Sequence, residues 1–93
     1  MIRRVEVIIH GEVQGVGFRV FAQRQAELLG INGWVRNRYD GSVETLIEGA
    51  SAKVEQMLDL LHTGPRHAIV DSIETVTDET SENPLYAGFS VRF

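Results

Sequence analysis

Between Gly11 and Arg19 the chain reads GEVQGVGFR, with three glycines and one arginine where a strand-like run gives way to a helical pattern. Glycine tolerates positive φ and has no Cβ, so its backbone amides can turn inward and approach a ligand closely. Such a loop feeding a helix N-terminus favours negative charge, through the unpaired N–H groups of the first turn and through the helix dipole. Arg19 falls in that first turn, where a cation is unfavourable for the helix alone, and no acidic side chain follows until Glu27. A bound phosphate or carboxylate would resolve the conflict. The loop lacks the Gly-Lys-Ser/Thr of a Walker A motif, and a dinucleotide fingerprint would need a third glycine at Val20. On these residues alone an anion cradle and a plain strand-to-helix loop both remain open.

The elements that must position this loop follow from hydrophobic periodicity. Arg4 to His10 alternates, with Val5, Val7 and Ile9 on one side and Ile8 on the other, the pattern of a central strand. Phe18 to Leu29 carries Phe18, Phe21, Ala22, Ala26 and Leu29 at helical spacing, and Gly30 is placed to end the helix. Asn32 to Arg38 and Ser42 to Glu48 form a hairpin. A three-residue loop, Tyr39-Asp40-Gly41 with Gly41 left-handed, groups Val35, Asn37, Val43, Thr45 and Ile47 on one face and sets Arg36 opposite Glu44. A two-residue loop would break up that apolar set, so the longer loop is expected. Ser51 is expected to cap a helix running to His62, with Val54, Met57, Leu58 and Leu61 on its buried stripe and Thr63-Gly64-Pro65 stopping it. Ala68 to Thr77 reads as a strand whose parity slips, which a bulge near Asp71-Ser72 would explain. Asp78 to Pro84 reads as loop, and Tyr86 to Phe93 as a short closing strand.

The order is β-α-β-β-α-β with a short C-terminal strand. That is the α+β, ferredoxin-like split βαβ pattern, an antiparallel sheet with two helices on one face, in a single domain spanning 1–93. In this topology the first and second strands run the same way, with the third between them running back. Their C-terminal ends share one edge of the sheet. The glycine loop and the start of the first helix lie there, and Asn37, sharing parity with Val35, turns toward the helix-covered face. Loop, Arg19 and Asn37 therefore converge. Phosphoryl transfer to water suits that set, because backbone amides and a planar guanidinium hold phosphate oxygens together while an asparagine amide orients a water.

GEVQGVGFR, GWVRN at Gly33–Asn37 followed by Asp40-Gly41, and GPRHAIV from Gly64 together resemble the acylphosphatase family over nearly the whole chain. The resemblance implies hydrolysis of acyl phosphates to a carboxylate and inorganic phosphate, with no metal, cofactor or covalent intermediate. It makes Arg19 the phosphate-binding arginine, Asn37 the water-orienting asparagine, and the amides of Gly15, Val16, Gly17, Phe18 and Arg19 the phosphate cradle. The phosphate itself would take the proton of the water. Glu12 departs from the basic or neutral polar residue common in the family, which would weaken an anionic substrate's binding somewhat. The larger hydrogenase maturation proteins that use carbamoyl phosphate carry a similar N-terminal domain, usually with proline after the arginine. Here Val20 follows and the chain ends at Phe93, as expected of a small free-standing enzyme. The competing reading is a non-catalytic phosphate-binding regulatory module on the same fold.

Composition narrows the partners. The 93 residues contain no cysteine, which excludes thiolate chemistry and disulfides and fits an intracellular, cytoplasmic setting. No apolar run reaches membrane-spanning length. The net charge of −4 argues against a general nucleic-acid binder. An RNA-binding sheet on this fold would need exposed aromatics on strands one and three, where the chain offers Arg4, Glu6, Ile8, His10, Glu44, Leu46 and Glu48. His10, His62 and His67 lack zinc-ligand spacing, so no metal is expected. His10 is expected to be structural or incidental, and Trp34 to pack beside Leu46 on the helix-free face. The expected partners are a small acyl phosphate and inorganic phosphate, acting on a monomer.

Overall fold

A computed structural model describes residues 1–93. The elements are β1 (Ile2–Glu12), α1 (Phe18–Leu29), β2 (Asn32–Asn37), β3 (Val43–Gly49), α2 (Ser51–Thr63), β4 (Ile69–Ser81) and β5 (Phe89–Arg92). One five-stranded sheet has the order β4-β1-β3-β2-β5. The first four strands pair antiparallel, whereas β5 joins the outer edge of β2 in parallel, so the sheet as a whole is mixed.

Both helices cover the same face. Val5, Val7 and Ile9 from β1, Val35 from β2, and Val43 and Ile47 from β3 meet Phe18, Ala22 and Ala26 of α1 and Val54, Met57 and Leu61 of α2 in one core. Thr45 is also fully buried there, and its hydroxyl donates to Trp34 O at 2.7 Å, which removes the cost of hiding a polar atom.

The hairpin takes the three-residue loop. Arg36 pairs with Glu44 and Asn37 with Val43 in the ladder, and Arg38 N donates to Ser42 O at 2.9 Å across the base of Tyr39-Asp40-Gly41. Gly41 is left-handed at φ 92°. α1 ends as its sequence suggests, with Gly30 left-handed and its amide turned back to the carbonyls of Ala26 and Glu27.

Several boundaries differ from the sequence reading. Ala50, not Ser51, occupies the N-cap of α2, in extended conformation and with no side-chain cap; Ser51 is already helical. β4 continues through Asp78 to Ser81, which the polar composition suggests is loop. Cross-strand charge explains the extension, because Asp78 pairs with Arg3 and Glu79 with Arg4 of β1. The β1–β4 ladder shifts register twice. One shift leaves Asp71 unpaired, where a bulge is expected, and a second leaves Val76 unpaired. The closing strand begins only at Phe89, because the amides of Leu85 and Tyr86 turn instead onto the Glu48 carboxylate.

On the helix-free face Trp34 pairs with Leu46 across the hairpin, as its parity requires. The guanidinium of Arg92 lies 4.6 Å from its ring centroid and that of Arg36 5.5 Å, so two cations shield the indole from water.

Candidate active site

The N-terminus of α1 has backbone and charge that favour an anion. Gly15 and Gly17 adopt left-handed backbone at φ 74° and φ 80°, with Gly17 as the N-cap. An added Cβ at either position would point into open space, so the loop surface is bare backbone. The first helical amide to reach a carbonyl is that of Phe21, which donates to Gly17 O at 3.0 Å. The amides ahead of it, including those of Phe18, Arg19 and Val20, carry the helix's uncompensated partial positive charge. No acidic residue lies in the first turn.

A cavity of about 110 Å³ opens over this turn. It is lined by Val13, Gly15, Gly17, Phe18, Arg19, Val20 and Asn37. The structure therefore brings Arg19 and Asn37 to one cavity with the glycine loop, although most of α1 and nearly all of β2 lie between them in sequence. Asn37 arrives there as the last residue of β2, facing the helix side with Val35. Val16 does not line the cavity; its side chain packs against the core instead.

Arg19 is held by an aromatic residue. The Phe93 ring lies under its guanidinium, 4.8 Å from Cζ to the ring centroid. The contact is a cation–π pair, and a guanidinium carries a fork of N–H donors suited to a planar, two-pronged grip on oxygens.

The turn that carries Asn37 is pinned from two sides. Within it, the Asp40 carboxylate accepts from the amide of Ser42 at 3.0 Å and from its hydroxyl, which hold the Asp40 pKa below the usual carboxylate value. From outside, Gln14 Nε2 donates to Arg38 O at 2.7 Å and to Ser42 O at 2.8 Å. Gln14 and Phe93 both escape notice in the sequence. The one signal for Gln14 is a long polar side chain set among glycines and valines; Phe93 carries none beyond strand alternation.

The remaining candidates lie elsewhere. Glu12 is exposed, pairs with Ile69 in the ladder and does not line the cavity. His10 Nε2 contacts Glu74 at 3.2 Å, and His62 Nδ1 contacts Leu58 O at 2.8 Å. No three His, Cys, Asp or Glu side chains gather as metal ligands. No helix is long and apolar enough to cross a membrane.

Residues 5–91 match the family model described as Acylphosphatase. The chain belongs to the acylphosphatase family. It is 47% identical over 91 residues to an acylphosphatase of Caldivirga maquilingensis, covering 97% of this chain and 94% of that one. It is 49% identical over 76 residues to an acylphosphatase of Moorella thermoacetica, covering 82% of each. The acylphosphatase crystal structure from Bacillus subtilis superposes with a TM-score of 0.90 at 34% identity, over 100% of both chains. The activity of the family is the hydrolysis of acyl phosphates.

Proposed function

We propose that the cavity at the start of α1 holds the phosphoryl group of an acyl phosphate, and that the chain hydrolyses it as a single-domain, metal-independent, cytoplasmic monomer. The amides from Gly15 through Arg19 hold the phosphate oxygens, and the Arg19 guanidinium grips two of them. Asn37 accepts a hydrogen bond from a water through its carbonyl and donates to it through its amide, aligning the oxygen with phosphorus. That oxygen bonds to phosphorus as the P–O bond to the acyl group breaks, and the electron pair leaves with the carboxylate. The proton of the water passes to a phosphate oxygen. A carboxylate leaves without acid assistance, so the two side chains and the amides suffice.

The observation that carries this reading is the meeting of Arg19, Asn37 and the glycine loop in one cavity. Steady-state hydrolysis of an aryl acyl phosphate in EDTA tests it, comparing the parent with Arg19→Ala and Arg19→Lys. Arg19→Ala is expected to lose about 10³-fold or more, as phosphate-clamping arginines do. Arg19→Lys is expected to remain poor, because a point charge does not reproduce the planar fork. Parent-like turnover by either variant would overturn the role of Arg19. Loss of parent activity in EDTA, restored by a divalent cation, would overturn metal independence.

A further inference from the structure

We infer that Gln14 is a positioning residue for the reaction, acting as the clamp that sets the distance between the phosphate cradle and the water-orienting Asn37. The inference rests on the roles proposed above for the cradle and for Asn37.

The two halves of the site have little backbone in common. β1 and β3 pair only as far as Ile9 with Val43; beyond that point β1 continues against β4 alone, through Glu12 with Ile69. The cradle therefore leaves the sheet beside a strand that does not carry Asn37. It also contains left-handed glycines at Gly15 and Gly17, which impose little stiffness of their own. Gln14 spans the gap. Its backbone adjoins Gly15 at the cradle, and both of its amide hydrogens go to the other half, at 2.7 Å to Arg38 O and 2.8 Å to Ser42 O. Arg38 directly follows Asn37, and Ser42 directly precedes Val43, the ladder partner of Asn37. The two carbonyls are also the main-chain acceptors that close the turn, taking Gly41 N at 3.3 Å and Arg38 N at 2.9 Å. One primary amide thus ties the base of the Asn37 turn to the first residue of the cradle.

In-line attack depends on where the water lies relative to phosphorus, and a misplacement of about 1 Å can cost about 10²-fold. Losing the clamp should therefore misplace Asn37 relative to a bound phosphate while leaving the amides and Arg19 to bind it. Gln14→Met keeps the length and removes the donors. The expected result is a kcat lower by about 10-fold to 10²-fold. KM and the inhibition constant of inorganic phosphate are expected to move less than about threefold. Gln14→Asn, which keeps a neutral amide but falls a methylene short of the two carbonyls, should lower kcat by the same pattern. Circular dichroism confirms the fold of each variant, and the Asn variant decides the matter if the Met variant is not folded. A kcat within about twofold of the parent, or phosphate inhibition weakened in step with kcat, would overturn the clamp. A folded parent that hydrolyses no acyl phosphate would instead overturn the reading beneath it, an outcome distinct from an active parent with an indifferent Gln14.

Discussion

The Arg19 guanidinium sits over the ring of Phe93, 4.8 Å from Cζ to the ring centroid, so Phe93 braces the side chain at the mouth of the cavity. Phe93 is fully exposed, so the contact has the strength of a surface cation–π pair, about 0.5–1 kcal/mol. Removing it frees Arg19 to sample other rotamers before it binds. Phe93→Ala is therefore expected to weaken competitive inhibition by phosphate about two- to fivefold, with Phe93→Tyr close to the parent. Equal inhibition constants for parent and Phe93→Ala would show that the stack does not orient Arg19.

Gly17 tests the cradle without touching a side chain. An alanine there must hold the left-handed conformation, at a cost of about 1–2 kcal/mol, and its methyl would occupy the open space above the amides. Gly17→Ala is expected to lower the melting temperature and to weaken phosphate binding together. Gly41→Ala, also left-handed but in the hairpin turn, is expected to lower the melting temperature alone. Calorimetry with and without phosphate separates the two.

Much of this architecture is legible from alternation. Parity of Val35, Asn37, Val43 and Ile47 is enough to choose the hairpin loop and to turn Asn37 toward the helices, because a one-residue slip would expose the whole set. Two kinds of information are not periodic. Asp78 and Glu79 look like loop residues because their strand is held by arginines of β1, far away in sequence, rather than by apolar contacts. The late start of β5 is set by a single buried carboxylate, Glu48, which draws the amides of Leu85 and Tyr86 out of strand geometry. For the site, glycine spacing and the awkward position of Arg19 single out the loop that lines one cavity with Asn37. Gln14 and Phe93 are invisible because their contacts, to the carbonyls of Arg38 and Ser42 and to Arg19, exist only once the chain has folded.

Glu48 is fully buried and accepts from Arg4 Nε at 2.9 Å, Leu85 N at 3.0 Å and Tyr86 N at 2.7 Å. Glu48→Ala strands all three donors, which costs far more than breaking an exposed pair. Its denaturation midpoint should fall at least about twice as far as that of Asp78→Asn, which breaks the surface pair with Arg3. KM is expected to be unchanged. Similar midpoints for the two variants would contradict a structural role for the buried carboxylate.

Stability should also respond to pH through Glu6 and Glu44. A proton shared with Glu44, then burial and repulsion by the Glu44 carboxylate, push Glu6 up to about 6, while the same shared proton and Arg36 hold Glu44 below the ordinary carboxylate value. The two titrate as a pair. Between the ordinary carboxylate value and pH 6 the folded chain binds more protons at this pair than the unfolded chain, so its contribution to stability falls as pH rises through that window. Glu6→Gln removes the titration. The variant should melt higher than the parent at pH 8, with the gap closing toward pH 5. A gap independent of pH would show that the pair is not coupled.

The most direct test of the site is Asn37→Ala, measured for acyl phosphate hydrolysis in EDTA and for phosphate binding in the same folded sample. Turnover is expected to fall by about 10²-fold or more, because the attacking water loses its orientation, while phosphate still binds at the cradle and Arg19. Parent-like turnover, or phosphate binding lost together with turnover, would contradict a water-orienting Asn37 set beside an independent phosphate cradle.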